Sequence, residues 1–292
     1  MLRLGMHVDN WRHFDVSYEV PCQFASDHKL KYVEFGTIDG DYFIQALGYN
    51  PHIPLHSDPL KLKAYLDSLK LKVSQIDAAY PVSSPEGQYR GVPYTLRAIQ
   101  FAKALGCPCV DTTDGARKPA GYSDKEVMAL IKQYYRVVLE WAERYEIVIN
   151  VEPHGPYTTN PDTLEQILGF FDSPWLRLNL DTGNTFIAGQ DPVKFLKRFR
   201  DKLSHCHIKD VSEGLARAAR RRDGHCVVRG RDRRGSERRE HRGLHRVAQG
   251  HEVGRRSVHR MRGRPGERGK EHRLAPKRNR PIGRFHGLAG RS

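Results

Sequence analysis

IVINVEPHGPYTTNPDTLEQILGFFDSPWLRLNLD, residues 147–181, contains a strand, a helix and a second strand in one short stretch. Ile147–Glu152 and Leu176–Asp181 are short apolar runs, which are typical of buried strands. Between them, Asn160-Pro161-Asp162 predicts the start of a helix, because proline is tolerated in a first turn. A strand, helix and strand in this order predict two parallel strands joined by a helical crossover.

The same alternation of strands and helices continues on both sides of this stretch. Gly106 closes one of the predicted helices, and Ser123 with Glu126 fits a capping box that opens another. The other predicted strands are Arg3–Val8, Lys31–Phe35, Leu71–Ala78, Pro108–Thr112 and Leu203–Lys209. The other predicted helices are Pro59–Leu69, Tyr94–Leu105, a long helix that ends at about Tyr145, and Asp191–Lys202.

Seven strands at even spacing indicate an α/β protein with a parallel sheet covered by helices. A doubly wound open sheet is the rival architecture, but no glycine-rich phosphate loop follows any of the predicted strands. The sequence therefore favours a (β/α)8 TIM barrel that is truncated to about seven β/α units. In such barrels the chemistry is carried by the carboxyl ends of the strands.

The composition of the chain changes between Val211 and Arg217. Residues 213–292 contain about 25 basic and about 8 acidic side chains, whereas residues 1–212 are close to neutral at about −2. Phe285 is the only aromatic residue after Ser212, so the tail has little with which to build a core. We therefore predict an incomplete barrel domain over 1–212 and a disordered, Arg/Gly-rich tail over 213–292.

Acidic and histidine side chains collect at the ends of the last three predicted strands. Alternation along a strand places Asn150, Glu152 and His154 on one face. It likewise places His205, His207 and Lys209 on one face. A single acid at a strand end is often a helix cap or an ion-pair partner. Glu152, Asp181 and His207 on three successive strands instead suit a divalent cation such as Mn²⁺, Mg²⁺ or Co²⁺.

Three motifs, VEPHGP (151–156), LDTGNTFIAGQDP (180–192) and SHCHIKD (204–210), carry a resemblance to a known family. Together they resemble the xylose-isomerase-like TIM-barrel superfamily of sugar and sugar-phosphate isomerases and epimerases, over about residues 1–212. The resemblance implies one divalent metal held by Glu152, Asp181, His207 and a further Glu from an eighth strand. It also implies that the metal stabilises an enediolate and that Glu152 acts as a catalytic base.

Asn184 departs from the pattern of that family. In that family, the epimerases and the related endonuclease IV type of repair enzyme usually have a histidine three residues after the aspartate that ends the sixth predicted strand. In this sequence that aspartate is Asp181. Asparagine is a poor zinc ligand but can hydrogen-bond a sugar oxygen. The third and fourth strands also end on Asp77 and Asp111, where the repair enzymes need histidines. We therefore expect a mononuclear sugar enzyme rather than a trinuclear phosphodiesterase.

Four residues are candidate substrate contacts: His154, Asn184, Lys209 and Glu34. For His154 the alternatives are a substrate contact, a partner of a metal ligand and a plain buried histidine. Glu34 either binds a sugar hydroxyl or caps the next helix. Lys209 either neutralises enediolate charge or pairs with Glu213 or Asp210. His205 points inward lower in the barrel, where a core role is favoured.

Two hypotheses compete for the tail. It is either an Arg-rich extension that binds nucleic acid, or the eighth β/α unit translated in the wrong frame. Nucleic-acid tails usually interleave lysines, aromatic residues or repeated motifs with their charge, whereas this tail has arginine and glycine with scattered histidines and few lysines. With permissible codons, dropping one nucleotide from Val253–Arg262 gives WDGGVSIECE, which has the character of an eighth strand with its Glu ligand. The sequence favours the frameshift, which removes one strand, one metal ligand and one base.

The predicted function is that of a divalent-metal-dependent sugar or sugar-phosphate isomerase or epimerase, impaired in this chain by the loss of its last unit. A dehydratase of the inositol-catabolism type uses similar ligands and stays an alternative. The expected partner is a small sugar or sugar phosphate, and we expect neither a membrane nor nucleic acid as a partner. The sequence leaves open whether the chain forms a homo-oligomer. The N-terminus opens directly into a strand, so we expect a cytoplasmic protein.

Overall fold

Parallel strands alternate with helices in the computed structural model, which describes residues 3–11, 14, 16–39 and 51–221. The strands are β1 (Gly5–His7), β2 (Tyr32–Ile38), β3 (Ile53–Pro54), β4 (Lys72–Pro81), β5 (Cys109–Thr113), β6 (Val148–Glu152), β7 (Leu176–Asp181) and β8 (Leu203–His207). The helices are α1 (Glu19–Asp27), α2 (Pro59–Ser68), α3 (Val92–Leu105), α4 (Asp124–Tyr145), α5 (Pro161–Leu168), α6 (Thr182–Ile187), α7 (Pro192–Phe199) and α8 (Glu213–Arg221). The remainder of the predicted tail, from residue 222 onward, lies outside the described residues.

The strands form one parallel sheet in the order β1-β2-β4-β5-β6-β7-β8, and the two-residue β3 pairs with β2. Every neighbouring pair is parallel, and helices connect the successive strands of this path. The prediction of a TIM-barrel-like fold with about seven β/α units is therefore confirmed. Within the described part of the chain, no ladder joins β1 to β8, so the sheet is a half-barrel that is open between these two strands.

Most helix boundaries follow the signals in the sequence. Gly106 ends α3 in the left-handed region at φ 72°, and Ser123 forms the predicted capping box with Glu126. Asn160 caps α5 through its side chain. Helix α3 begins at Val92, two residues before the predicted start, because Pro93 fits in a first turn that lacks hydrogen-bonded amides.

Helix α4 is tied to the sheet by buried hydroxyl groups as well as by apolar packing. Val127, Ile131 and Val138 on its inner face are fully buried in the main core. The hydroxyl of Tyr135 lies 2.9 Å from Oγ1 of Thr112, which donates to the Asn150 carbonyl at 2.7 Å. These contacts join α4, β5 and β6 where the barrel ends carry their polar side chains.

The predicted tail begins with a helix in the described residues. In α8, Ala216 is buried against Ile187 of α6, with Val211 and Ala219 packed around them. Every helix in the described residues falls short of the length and apolar character that a membrane span requires.

Candidate metal centre at the carboxyl ends of the strands

Strand β6 delivers Glu152 to the open end of the barrel. Asn150 and Glu152 lie on the same face of this strand, and both are buried. His154 follows in the loop, where its backbone N–H donates to Oγ1 of Thr158 at 2.9 Å. Its Nδ1 atom is buried without a hydrogen-bond partner. The ring of His154 is therefore not held in place by a hydrogen bond at this nitrogen.

The loop after β6 is held by the buried carboxylate of Asp114. Asp114 accepts hydrogen bonds from the backbone N–H groups of Gly155, Tyr157 and Thr158 and from the Thr158 hydroxyl, at 2.6–3.2 Å. A side chain at Gly155 would place its Cβ 1.7 Å from the Gly115 carbonyl oxygen, so only glycine fits there. This close backbone packing fixes the position of the segment that carries His154.

Strand β7 delivers Asp181, which is fully buried and caps α6. Its Oδ1 accepts the backbone N–H of Asn184 at 2.8 Å. Its Oδ2 faces Nδ1 of His207 at 3.6 Å and forms an ion pair with Lys209. One oxygen therefore orients the carboxylate through the helix, while the other faces the candidate site.

Strand β8 delivers His207 between the carboxylates of two other strands. Its Nδ1 lies 2.9 Å from Oε1 of Glu152, and its Nε2 lies 2.9 Å from Oε2 of Glu34 on β2. The hydroxyl of Thr182 donates to the His207 carbonyl at 3.2 Å and accepts the N–H of Lys209 at 3.0 Å. The end of β8 is thus fastened to the start of α6.

Glu152, Asp181 and His207 each direct one donor atom into a common region, where these atoms lie within 4.8 Å of one another. Two carboxylates and one imidazole are a donor set that divalent first-row metals and Mg²⁺ accept. The three residues also come from adjacent strands, as the sequence predicted. The residues present therefore fit a divalent cation.

Carboxylates crowd around this donor set. Burial and the nearby Glu152 raise the pKa of Asp111 and of Asp77 well above their ordinary value. Burial alone would also raise the pKa of Asp181 and of Glu34. For Asp181, the nearby Lys209 and His207 outweigh burial and hold its pKa below the usual range. For Glu34, His207 has the same effect. Carboxylates this close repel one another, and a bound cation would relieve that repulsion.

The pKa of His207 is raised well above its ordinary value. Burial alone would lower it, but the charge of Glu34 and hydrogen bonds with Asp181 and Glu152 outweigh burial. His205, on the same strand, has its pKa lowered chiefly by burial, and its Nδ1 lies 3.2 Å from Oδ1 of Asn179. The two histidines of SHCHIKD therefore have different surroundings.

The structure brings together most of the residues selected from the sequence. Glu34 contacts His207 rather than a helix terminus, and Lys209 pairs with Asp181. Asn184 is buried beside Asp181, to which it presents its backbone N–H. Sequence reasoning missed His7, whose Nε2 lies 3.7 Å from Oε1 of Glu34. The available signal was its position at the carboxyl end of β1, in register with Glu34.

Comparison with known proteins places the fold in a family. The sequence profile described as Xylose isomerase-like TIM barrel matches residues 22–241, about three quarters of the chain. The chain belongs to the xylose isomerase-like TIM barrel family. The resemblance seen in the three motifs is thereby confirmed, and members of this family include dehydratases and epimerases.

A curated relative and two solved structures are similar to this chain. An inosose dehydratase from Lacticaseibacillus casei is 23% identical over 172 residues, which cover 54% of this chain and 57% of that protein. The chain thus matches little more than half the length of this relative. An L-ribulose 3-epimerase structure superposes with a TM-score of 0.59 at 18% identity, covering 76% of this chain and 77% of the other. The IolI protein with a bound zinc atom gives 0.54 at 14% identity, covering 67% and 68%. At these identities the two structures support the shared fold alone.

Proposed function

We propose that this family member is a divalent-metal-dependent enzyme that removes a proton next to a carbonyl group in a small ketose, polyol-derived ketone or sugar phosphate. The observation that carries this proposal is the convergence of Glu152, Asp181 and His207, whose donor atoms lie within 4.8 Å of one another at the strand ends. Strand ends of this kind carry the chemistry in TIM barrels.

Glu152, Asp181 and His207 would hold the cation, with Mn²⁺, Mg²⁺ or Co²⁺ as candidates. When bound, such a cation supplies Lewis-acid polarisation of a substrate oxygen and stabilises the negative charge that develops on it. The zinc atom in the structurally similar IolI protein supports a metal in this fold. The donor atoms of this chain are the independent support.

Glu152 would act as the base that takes the proton from carbon. Its carboxylate is buried at the end of β6, and the adjacent loop is fixed through Asp114, so the group is oriented before substrate arrives. The ammonium group of Lys209 lies beside Asp181, where it can also face developing negative charge on the substrate. His154 and Asn184 are the proposed hydrogen-bonding contacts for substrate oxygens.

An isomerase or epimerase would return the proton to carbon through an enediolate. This outcome follows the resemblance of the three motifs and agrees with the L-ribulose 3-epimerase among the similar structures. Incubation with candidate ketoses in D₂O tests it. Proton NMR should detect deuterium incorporation next to the carbonyl, together with an epimer or an aldose–ketose pair.

A dehydratase is the second candidate, and two observations favour it. The curated relative described above is an inosose dehydratase. Burial and Glu152 raise the pKa of Asp111 well above its ordinary value, which favours a protonated carboxyl group near the proposed base. Dehydration needs an acid that protonates the departing hydroxyl, and such a carboxyl group can supply the proton. The same incubations then should give an unsaturated ketone, seen by its ultraviolet absorbance.

Failure of the metal-loaded protein, in both its present and its corrected reading frame, to exchange deuterium and to form an unsaturated ketone would contradict the proposed function. The pairing of Glu152→Gln with the exposed Glu140→Gln as a control separates the site from general effects on the protein. A small-molecule substrate, impaired turnover in this chain and a cytoplasmic location remain predictions.

A further inference from the structure

Glu34 on β2 is a buried carboxylate that histidines surround. Its side chain is 3% exposed, and both of its oxygens lie 2.9–3.0 Å from Nε2 of His207. Nε2 atoms of His7 and His205 approach the same carboxylate at 3.7 Å. These three rings come from the two strands at the open side of the sheet. A buried carboxylate in this setting acts either as a ligand to a cation or as a hydrogen-bond acceptor.

A second metal held by His7, Glu34 and His207 conflicts with the hydrogen bonding of His7. The backbone N–H of Asp9 donates to Nδ1 of His7 at 3.0 Å. A ring nitrogen that accepts a hydrogen bond carries no proton, so the proton of the His7 ring lies on Nε2. The Nε2 atom that faces Glu34 is then a donor and has no lone pair for a metal. Glu34 is therefore an acceptor.

A chain of amide and hydroxyl groups holds Glu34 from the other side. Ser204 donates to Oδ1 of Asn150, Nδ2 of Asn150 donates to Oε1 of Gln75, and Nε2 of Gln75 donates to Oε1 of Glu34 at 2.8 Å. Gln75 and Asn150 are fully buried. Each of the two amides accepts a hydrogen bond through its oxygen on the Ser204 side and donates one through its nitrogen on the Glu34 side. The series of hydrogen bonds therefore has a single direction and ends on the Glu34 carboxylate. It crosses the barrel from β8 through β6 and β4 to β2.

We propose that Glu34 is a positioning residue that accepts the Nε2–H of His207 and thereby leaves Nδ1 of His207 as the metal-binding atom. Nδ1 is the nitrogen that faces Glu152 at 2.9 Å and Asp181 at 3.6 Å. Carboxylates that fix the tautomer and orientation of a liganding histidine strengthen metal binding about 10- to 100-fold. This inference rests on the proposed function, because it takes Glu152, Asp181 and His207 as the metal ligands.

The amide chain extends the same role to Gln75. Without its hydrogen bond, Glu34 loses the contact that sets its distance from His207. Gln75 touches none of the three proposed ligands in the hydrogen bonds described above. Its loss should therefore weaken metal binding indirectly, and by less than the loss of Glu34.

The test is titration of the full-length metal-free protein with Co²⁺, followed by the visible absorption of the bound ion. Glu34→Gln removes the negative charge but keeps the shape, and should weaken Co²⁺ binding about 10- to 100-fold and change the absorption spectrum. Glu34→Asp retains the carboxylate and should recover part of the affinity. Glu140→Gln, on the exposed face of α4, is the matched control and should behave as the wild type.

The outcomes separate the two proposals. A wild-type protein that binds no Co²⁺ contradicts the proposed function and this inference with it. A wild type that binds Co²⁺, together with a Glu34→Gln variant of equal affinity and unchanged spectrum, overturns the role of Glu34 and leaves the proposed function intact. Circular dichroism reports the fold of each variant. If Glu34→Gln does not fold, wild-type Co²⁺ affinity and spectrum in Gln75→Leu overturn the inference instead, because Gln75 holds the Glu34 carboxylate.

Discussion

Glu34 and His207 are 173 residues apart in the sequence, yet Oε2 of the first lies 2.9 Å from Nε2 of the second. The contact spans the open side of the half-barrel and connects β2 with β8. It gives His207 a carboxylate at each ring nitrogen, because Glu152 occupies the Nδ1 side. The imidazole of His207 thus links the proposed ligand Glu152 to the buried carboxylate of Glu34.

Glu152→Gln should abolish turnover while sparing the fold. The amide is nearly isosteric with the carboxylate, but it can neither take a proton nor bind a cation with the same strength. We expect a loss of at least about 10²- to 10⁴-fold in kcat/KM, measured by deuterium exchange into the substrate. Thermal unfolding of the metal-free protein should stay close to wild type. Turnover retained in Glu152→Gln would remove Glu152 from the mechanism.

Metal binding should strengthen as the pH rises. Burial lowers the pKa of His207, but Glu34, Asp181 and Glu152 outweigh burial and raise it well above its ordinary value, which favours the protonated ring in the metal-free protein. A metal must displace this proton, and the apparent Kd for Co²⁺ should fall about tenfold per pH unit while His207 remains protonated. Titrations between about pH 6 and pH 8 measure this dependence. Affinity that is independent of pH would show that no such proton is displaced.

Asp114→Ala should destabilise the protein and loosen the loop after β6. The carboxylate accepts three backbone N–H groups and one hydroxyl, all of which would lose their buried acceptor. We expect a loss of about 3 kcal/mol in the free energy of unfolding, measured with urea. Asp172→Ala removes an exposed carboxylate and serves as the control. Equal stability of the two variants would contradict the role of Asp114.

Gly155→Ala should be more harmful than a glycine substitution elsewhere. An added Cβ would lie 1.7 Å from the Gly115 carbonyl oxygen and 2.7 Å from Oδ1 of Asp114, so the backbone has to move. We expect a loss of about 3 kcal/mol or more, seen in the urea midpoint. Gly214→Ala in α8 meets nothing within 4 Å and should change stability by less than about 1 kcal/mol. A tolerated Gly155→Ala would show that this segment relaxes freely.

The coding sequence around residues 211–217 should contain a one-base shift. In the corrected frame the tail is expected to yield an apolar helix and the strand VSIEC, whose following Glu completes the metal ligands. A corrected protein should then bind Co²⁺ more tightly than the present chain, because it offers a fourth donor. Sequencing of the gene checks the shift directly. An unshifted reading frame would instead favour a genuine Arg-rich extension, whose DNA binding should depend steeply on salt.

Alternating elements and local motifs could be predicted from the sequence because their causes are local. Gly106, the Ser123 capping box and the Asn160 cap act within a few residues, and the structure confirms each of them. The residues at strand ends were also predictable, since parallel strands in a barrel direct their carboxyl ends to one side. Features that depend on one short stretch of chain can therefore be predicted from the sequence pattern and from the position of a residue in its strand or helix.

Contacts across the barrel could not be predicted in the same way. The ion pair between Lys209 and Asp181 was not among the contacts predicted for Lys209, and it forms because β7 and β8 are neighbours in register. His7 was not predicted to be a site residue, although β1 places it beside Glu34. The alternation of side chains tells which face a residue occupies but not which residue it meets.

The sequence alone determined the order of strands and helices, the family motifs and the three candidate ligands. Only the tertiary structure decided that Glu34 contacts His207 and that Gln75 and Asn150 link Glu34 to Ser204. The physical reason is the range of the interactions. Helix propensity, helix capping and the alternation of side chains along a strand act between residues that are close in the sequence. The curvature of the sheet, in contrast, sets which side chains meet across its interior.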